Sequence, residues 1–343
     1  MNEPARTVKA EKGSKAMRYG VTWRDIEPVV VNLLETSTVG AISDEPTALI
    51  LNPLREFFAA PGKGLRAELV HLGWSLAGHV DPPPSTLVVG IELLHAGSLI
   101  IDDVQDSSLS RRGRPCMHRT IGIGPALNLG NLLYFMAVEA IGQVDGIPRA
   151  RSTLNRIVNQ TLIRCHQGQA MDLCLKVHAL PQTRIPELVR QTTTLKTGAL
   201  TALALNFGAV LADLSSRDQS ALYQLGEALG VCLQMYDDLS GIVNPDRANK
   251  GMEDLSAARP TWPWAWLAHQ LDPDTFRALT TQLKTREDDA LSDLKREMAG
   301  YLSNAASIIH ARLDGTWNDF LALKPDGGEG IEDFVNRLKT GYL

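Results

Sequence analysis

Apolar residues recur along most of this chain at intervals of three and four, the spacing at which side chains share one face of an α-helix. Helices are predicted from Val29 to Leu34, Leu65 to Ala77, Thr86 to Ile101, Leu127 to Ile141 and Leu154 to Leu175. Three more run from Ile185 to Leu211, Gln219 to Leu239 and Asp274 to Leu302. Breakers separate them at Pro61-Gly62, Asp81-Pro82-Pro83-Pro84, Asp145-Gly146-Ile147-Pro148 and Asn244-Pro245, where proline removes an amide donor and glycine frees the backbone. The alternation of a half-buried strand is absent, and so is any repeat. Lys324 to Gly330 reads as a loop before a last short helix, and residues 1–20, polar and of mixed charge, as a flexible N-terminal segment. No Pro/Ser-rich linker divides the remainder, so residues 21–343 are expected to form a single all-α domain of ten or more helices.

Composition narrows the classes. Among 343 residues 44% are apolar, enough for a substantial core, and the net charge is −5. An acidic balance without basic blocks argues against nucleic-acid binding. Cys116, Cys165, Cys174 and Cys232 are scattered without metal-ligand or redox spacing, as free thiols in a reducing compartment would be. The start of the chain has no apolar signal core, and the most apolar stretch, Gly198 to Ala212, is short and interrupted by Thr201 and Asn206. The expectation is a cytoplasmic protein with no membrane span.

The chemistry is concentrated in a few places. Asp102-Asp103-Val104-Gln105-Asp106 ends an apolar helix and is followed at once by Arg111-Arg112. On a helix Asp102 and Asp106 project from one face and repel, which calls for a compensating cation. Hard carboxylate oxygens so spaced suit Mg²⁺, which completes its shell with water and phosphates, and arginines supply further phosphate donors. A second aspartate pair, Asp237-Asp238, follows Gln234 in a similar apolar setting. By contrast, Glu287-Asp288-Asp289 with Asp293 is surrounded by lysines and arginines and reads as a solvated helix face. Trp262, Trp264 and Trp266 read as core.

Further patches fall in a fixed order: Gly62-Lys63-Gly64-Leu65-Arg66, then Glu92 to Leu99 leading into the acidic triplet, Lys196-Thr197-Gly198, Gln234 to Asp238, and Lys250-Gly251 before Arg259-Pro260. From about Lys63 to Pro263 the ordered set resembles the trans-isoprenyl diphosphate synthases, the polyprenyl synthetase family. The resemblance implies the all-α isoprenoid synthase fold, helices around a central cavity. Its activity is condensation of isopentenyl diphosphate with an allylic diphosphate, with Mg²⁺ as cofactor and a homodimer as the common assembly.

Carried over by position, Asp102, Asp103 and Asp106 with Asp237 and Asp238 are the implied metal motifs. Asp102, Asp106, Lys196 and Asp237 carry the implied catalysis. Lys63, Arg66, His95 and Arg112 make the implied isopentenyl diphosphate pocket, and Arg111, Lys196, Thr197, Gln234 and Lys250 the implied allylic diphosphate shell. Arg259 stands where the family often has lysine. Gly97, five residues before Asp102, occupies a position where an aromatic residue often limits product length. With Gly90 also small, an open cavity and a product of twenty carbons or more are expected, with Leu93, Leu94 or Tyr134-Phe135-Met136 as a deeper floor. One departure stands out: Gly241 replaces the third aspartate of the second motif. It leaves two alternatives open, a terpene-synthase-like or other-acceptor prenyltransferase that keeps the ionisation step, and an inactive regulatory subunit.

Overall fold

The computed structural model describes residues 19–37, 44–60, 62–284, 288–323 and 329–341. Most of the expected N-terminal segment, along with Pro61, Glu287 and the start of the 324–330 loop, lies outside these ranges.

The helices are α1 (Trp23–Thr36), α2 (Asp44–Phe58), α3 (Leu65–Leu76), α4 (Ser85–Gln105), α5 (Met117–Ile121), α6 (Ile123–Gly142), α7 (Pro148–Cys174), α8 (Ile185–Thr193) and α9 (Ala199–Leu211). They continue as α10 (Ser216–Val243), α11 (Ala248–Ser256), α12 (Trp262–Gln270), α13 (Pro273–Gln282), α14 (Asp288–Tyr301), α15 (Ala305–Leu323) and α16 (Glu329–Gly341). The all-α expectation holds, with two differences in detail. Asp274 to Leu302 is split into α13 and α14, a division that a shared apolar period does not reveal. A two-stranded antiparallel ribbon, β1 (Ser110–Arg111) and β2 (Arg114–Pro115), follows the acidic triplet. Strands of two residues are too short to show alternation.

Helix α9 is the centre of the molecule. Every residue from Ala199 to Val210 is buried, and α3, α7 and α10 pack around it. A helix apolar on all sides has nowhere else to go in water. The run Gln182–Leu211 is long and apolar enough to cross a membrane, but 72% of its most apolar window is buried inside this bundle. Trp262, Trp264 and Trp266 are buried as expected.

A glycine seam brings α4 and α6 together. A Cβ on Gly97 would lie 2.7 Å from the carbonyl oxygen of Gly130, and one on Gly90 would lie 2.5 Å from Ile141 Cγ1. Two glycines seven residues apart share a helix face, and α6 occupies that face. Gly97 therefore does not look into a cavity, contrary to the sequence expectation.

Candidate active site

Helices α4, α7, α10 and α11, the segment between α8 and α9, and Arg259 before α12 bring their polar residues together. Helix α4 ends at the acidic triplet. Helix α7 lays Gly168 against the segment between α8 and α9, where a Cβ would lie 2.4 Å from the backbone nitrogen of Lys196. That segment, Thr194–Gly198, is a single π-helical turn, a local unwinding often found at functional sites. It turns Lys196 and Thr197 toward neighbours on opposite sides.

Lys196 lies 3.5 Å from Asp102 and 2.9 Å from Asp172 of α7. Gln169, one turn before Asp172, donates to Asp102 at 2.8 Å. Arg259 grips both oxygens of Asp106 and approaches Asp172 at 3.6 Å and Asp254 at 3.8 Å. Lys250 pairs with Asp254 at 3.0 Å. Burial pushes the Asp102 carboxyl above its usual range, against the pull of Lys196. Burial opposes charge on Lys196 as well, yet Asp102 and Asp172 hold its pKa above the ordinary lysine value. Lys250 is raised in the same way by Asp254. Both lysines are therefore permanent cations among carboxylates.

The same π turn reaches the second acidic motif. Thr197 Oγ1 donates to Gln234 Oε1 at 3.0 Å, and Gln234 Nε2 donates to Asp238 at 2.7 Å. The two aspartate-bearing helices, α4 and α10, are thus joined through Lys196 and Thr197.

All five expected metal ligands have protein partners, Asp102 in Lys196 and Gln169, Asp106 in Arg259 and Asp237 in Arg247, and two of the five, Asp103 and Asp238, are turned away from the others. Asp103 is 2% exposed, and both its oxygens accept from Arg111, at 2.6 and 2.8 Å. Adjacent residues on a helix point about 100° apart, so Asp103 cannot share the face of Asp102. Asp238 faces inward for the same reason, accepting from Gln234 and from the Trp262 amide at 3.0 Å. Burial and Asp254 push its carboxyl up to about 7. Arg111, expected on a diphosphate, spends two of its donors on Asp103. Asp237 points outward, toward Arg247.

Beside this region lies a second cluster of opposite character. Arg66 Nη1 sits 3.1 Å from His95 Nε2, and Glu92 accepts from the Ala67 amide at 3.2 Å. Arg112 occupies the turn of the ribbon with φ 52°, followed by Gly113 at 76°. Paired left-handed residues are what a tight two-residue hairpin demands. That turn sends the Arg112 guanidinium back to the Ala60 carbonyl at 2.7 Å. Burial, then Arg66, Arg112 and Arg111, hold His95 well below its usual 6.5, so it is neutral. Three guanidinium groups around a neutral imidazole, with Glu92 beside them, form a site for an anion. Lys63, expected in this pocket, interacts electrostatically with Asp237 and Arg247 of the second acidic motif; burial lowers its pKa and Asp237 partly restores it.

The depressed His95 pKa has a measurable consequence. A folded pKa below the unfolded one leaves stability intact above about 6.5 and withdraws it as pH falls below that value. Raised carboxylates such as Asp238 act in the opposite direction, but equally in wild type and variant. The melting temperature of His95→Gln is expected to fall less than that of wild type between pH 7.5 and 5.5; equal losses would refute the neutral imidazole.

Asp172, Gln169, Asp254 and Arg247 were not singled out from the sequence. Gly168 within a helical pattern was a usable signal, since a glycine there marks close approach of another backbone. The solvated reading of the Asp289 region holds: Asp293 pairs with Arg296 at 2.9 Å, both side chains exposed.

An all-α bundle with an acidic, cation-laced site beside an anion pocket defines a trans-prenyltransferase of the isoprenoid synthase fold. The chain belongs to the polyprenyl synthetase family, which it matches over residues 47–299. A Penicillium janthinellum protein named geranylgeranyl pyrophosphate synthase is 30% identical over 269 residues, covering 78% of this chain and 70% of that protein. A Zymoseptoria tritici protein named geranylgeranyl pyrophosphate synthase 2 is 28% identical over 306 residues, covering 84% and 87%. In fold, the chain is similar to a decaprenyl diphosphate synthase from Rhodobacter capsulatus, with a TM-score of 0.75 at 21% identity over 93% of this chain and 97% of that one. It is also similar to a T. brucei farnesyl diphosphate synthase, with a TM-score of 0.77 at 15% identity over 94% and 98%.

Proposed function

We propose that this protein is a Mg²⁺-dependent chain-elongating prenyltransferase joining isopentenyl diphosphate to an allylic diphosphate. The product is geranylgeranyl diphosphate or a longer polyprenyl diphosphate. The observation that carries the reading is the pair of dissimilar half-sites. One mixes carboxylates with lysines and Arg259, as an ionising diphosphate and its metal require. The other is almost purely cationic around neutral His95, as a second diphosphate that keeps its C–O bond requires. A cyclase has no use for the second pocket.

The donor set fits Mg²⁺. Asp102, Asp106 and Asp237 offer hard oxygens on two helices, and the buried amide oxygen of Gln169, beside Asp102, has no protein donor. Among the described residues no three His, Cys, Asp or Glu side chains gather tightly enough to hold an ion alone. That suits a cation that keeps waters and borrows phosphate oxygens. Bound there, Mg²⁺ would draw charge toward the departing diphosphate.

The remaining steps fall to the chain. Lys196, Lys250 and Arg259, held charged by their carboxylates, receive the leaving diphosphate as the allylic C–O bond breaks. Arg66, Arg112 and Lys63 hold isopentenyl diphosphate so that its alkene meets the allylic cation. Carbon–carbon bond formation and loss of a proton complete a chain five carbons longer. Asp103 and Arg111 brace the ribbon that carries Arg112. We assign the protein to the cytoplasm and to a homodimer.

The test is incubation of the purified protein with labelled isopentenyl diphosphate and allylic primers, followed by chromatography. Elongated diphosphates of twenty carbons or more are expected. Hydrocarbons or prenylated acceptors would favour the cyclising or other-acceptor alternative, and absence of turnover without a partner the regulatory one.

A further inference from the structure

Helices α10 and α11 cross with their backbones touching. A Cβ on Gly251 would lie 2.0 Å from the Gly241 carbonyl oxygen, and one on Gly241 would lie 3.3 Å from Gly251 Cα. Gly241, the missing third aspartate of the second motif, is therefore part of this crossing, and a carboxylate there would be directed at the α11 backbone. The crossing folds the short 3₁₀ turn Pro245–Arg247 back over the end of α10. Asn244 fixes the turn by accepting from the Asp246 amide at 2.9 Å. The result places Arg247 Nη1 2.6 Å from Asp237 Oδ1 and 2.9 Å from Ser240 Oγ.

The second motif thus lacks the carboxylate that the family pattern places at Gly241, and its Asp237 is paired with a guanidinium. Asp238 is turned inward, so Asp237 is the outward carboxylate of this pair. Asp237 also interacts electrostatically with Lys63, which in turn is repelled by Arg247. A divalent cation approaching Asp237 therefore meets two resident positive charges with one carboxylate to balance them.

We propose that Arg247 is the resident counter-cation of the second acidic motif. It competes with Mg²⁺ for Asp237 in the free enzyme, so metal enters this half of the site together with a diphosphate, whose oxygens accept the displaced guanidinium. The Arg247 and Asp237 side chains are 31% and 34% exposed. Solvent weakens a pair so exposed, which makes the pair displaceable rather than a permanent block. The inference rests on Asp237 being a metal ligand, as proposed above.

The experiment is calorimetric titration of the substrate-free protein with MgCl₂, repeated with inorganic pyrophosphate present. It compares wild type with Arg247→Gln, Arg247→Lys and Asp237→Asn, each checked for an unchanged melting transition. Arg247→Gln is expected to bind Mg²⁺ about two- to tenfold more tightly without pyrophosphate, with the gain lost when Asp237→Asn is added. Arg247→Lys should stay close to wild type, and pyrophosphate should erase the difference. Unchanged or weaker binding by Arg247→Gln, while Asp237→Asn still weakens it, overturns the competition alone. Binding indifferent to Asp237→Asn in every background overturns the ligand role of Asp237, and the competition with it.

Discussion

Replacing Asp102 by alanine is expected to lower turnover by about 10³-fold or more, the scale of losing a preorganised charge at a site where a leaving group ionises. The same change is expected to leave the protein folded, and the network explains why. Lys196 would still hold Asp172 at 2.9 Å, so no cation is orphaned. Burial and the neighbouring charges of Asp106 and Asp172 already hold the Asp102 carboxyl above its ordinary range. Its removal relieves repulsion between carboxylates as well as deleting a partner of Gln169. A melting temperature within a few degrees of wild type should therefore accompany the loss of activity. Near-normal turnover would end the metal role of α4, and collapse of the fold would show that Asp102 is chiefly structural.

The sequence spoke most clearly where one signal had one cause. Helical period gave the bundle, and the ordered polar patches gave nearly every side chain that α3, α4, α10 and the π turn bring together. It was weaker on which way adjacent aspartates face. In both DD pairs one carboxylate turns to protein donors, Asp103 to Arg111 and Asp238 to Gln234 and Trp262, and a dipeptide carries no record of that division. Asp172 and Asp254 escaped because a single acidic residue on a long helix is ordinarily a solvated one. Their importance comes from Lys196, Lys250 and Arg259, brought near by tertiary packing. Gly241 was read through the carboxylate it lacks, whereas its contact with Gly251 shows what the glycine is for.

Introducing tyrosine at Gly97 is expected to yield little folded protein rather than a shorter product. Beyond its first carbon the ring would have to displace the Gly130 carbonyl, 2.7 Å from where the Cβ must sit. Backbone in a helix pair cannot yield as a side-chain tip does. The cost should exceed the ~1–3 kcal/mol usual for an added side chain in a packed core, a large share of a domain's stability. Control of chain length is expected instead from the face of α4 that carries Asp102. Ser98, one turn earlier and half-buried, shares that face; its hydroxyl donates only to the His95 carbonyl, at 2.8 Å. Of the three α6 residues considered as a floor, Phe135 points outward at 74% exposed and Met136 is in the core. Tyr134 lies beside the Gly97 position, on the face that α6 covers, and packs edge-on against His166. Burial and the charge on Asp102 both raise its phenol pKa, so it stays neutral. Ser98→Phe is accordingly expected to fold and to shorten the product, as read by chromatography of the dephosphorylated chains. A folded Gly97→Tyr with shortened chains, or a folded Ser98→Phe with the wild-type product, would reverse the assignment of the two faces.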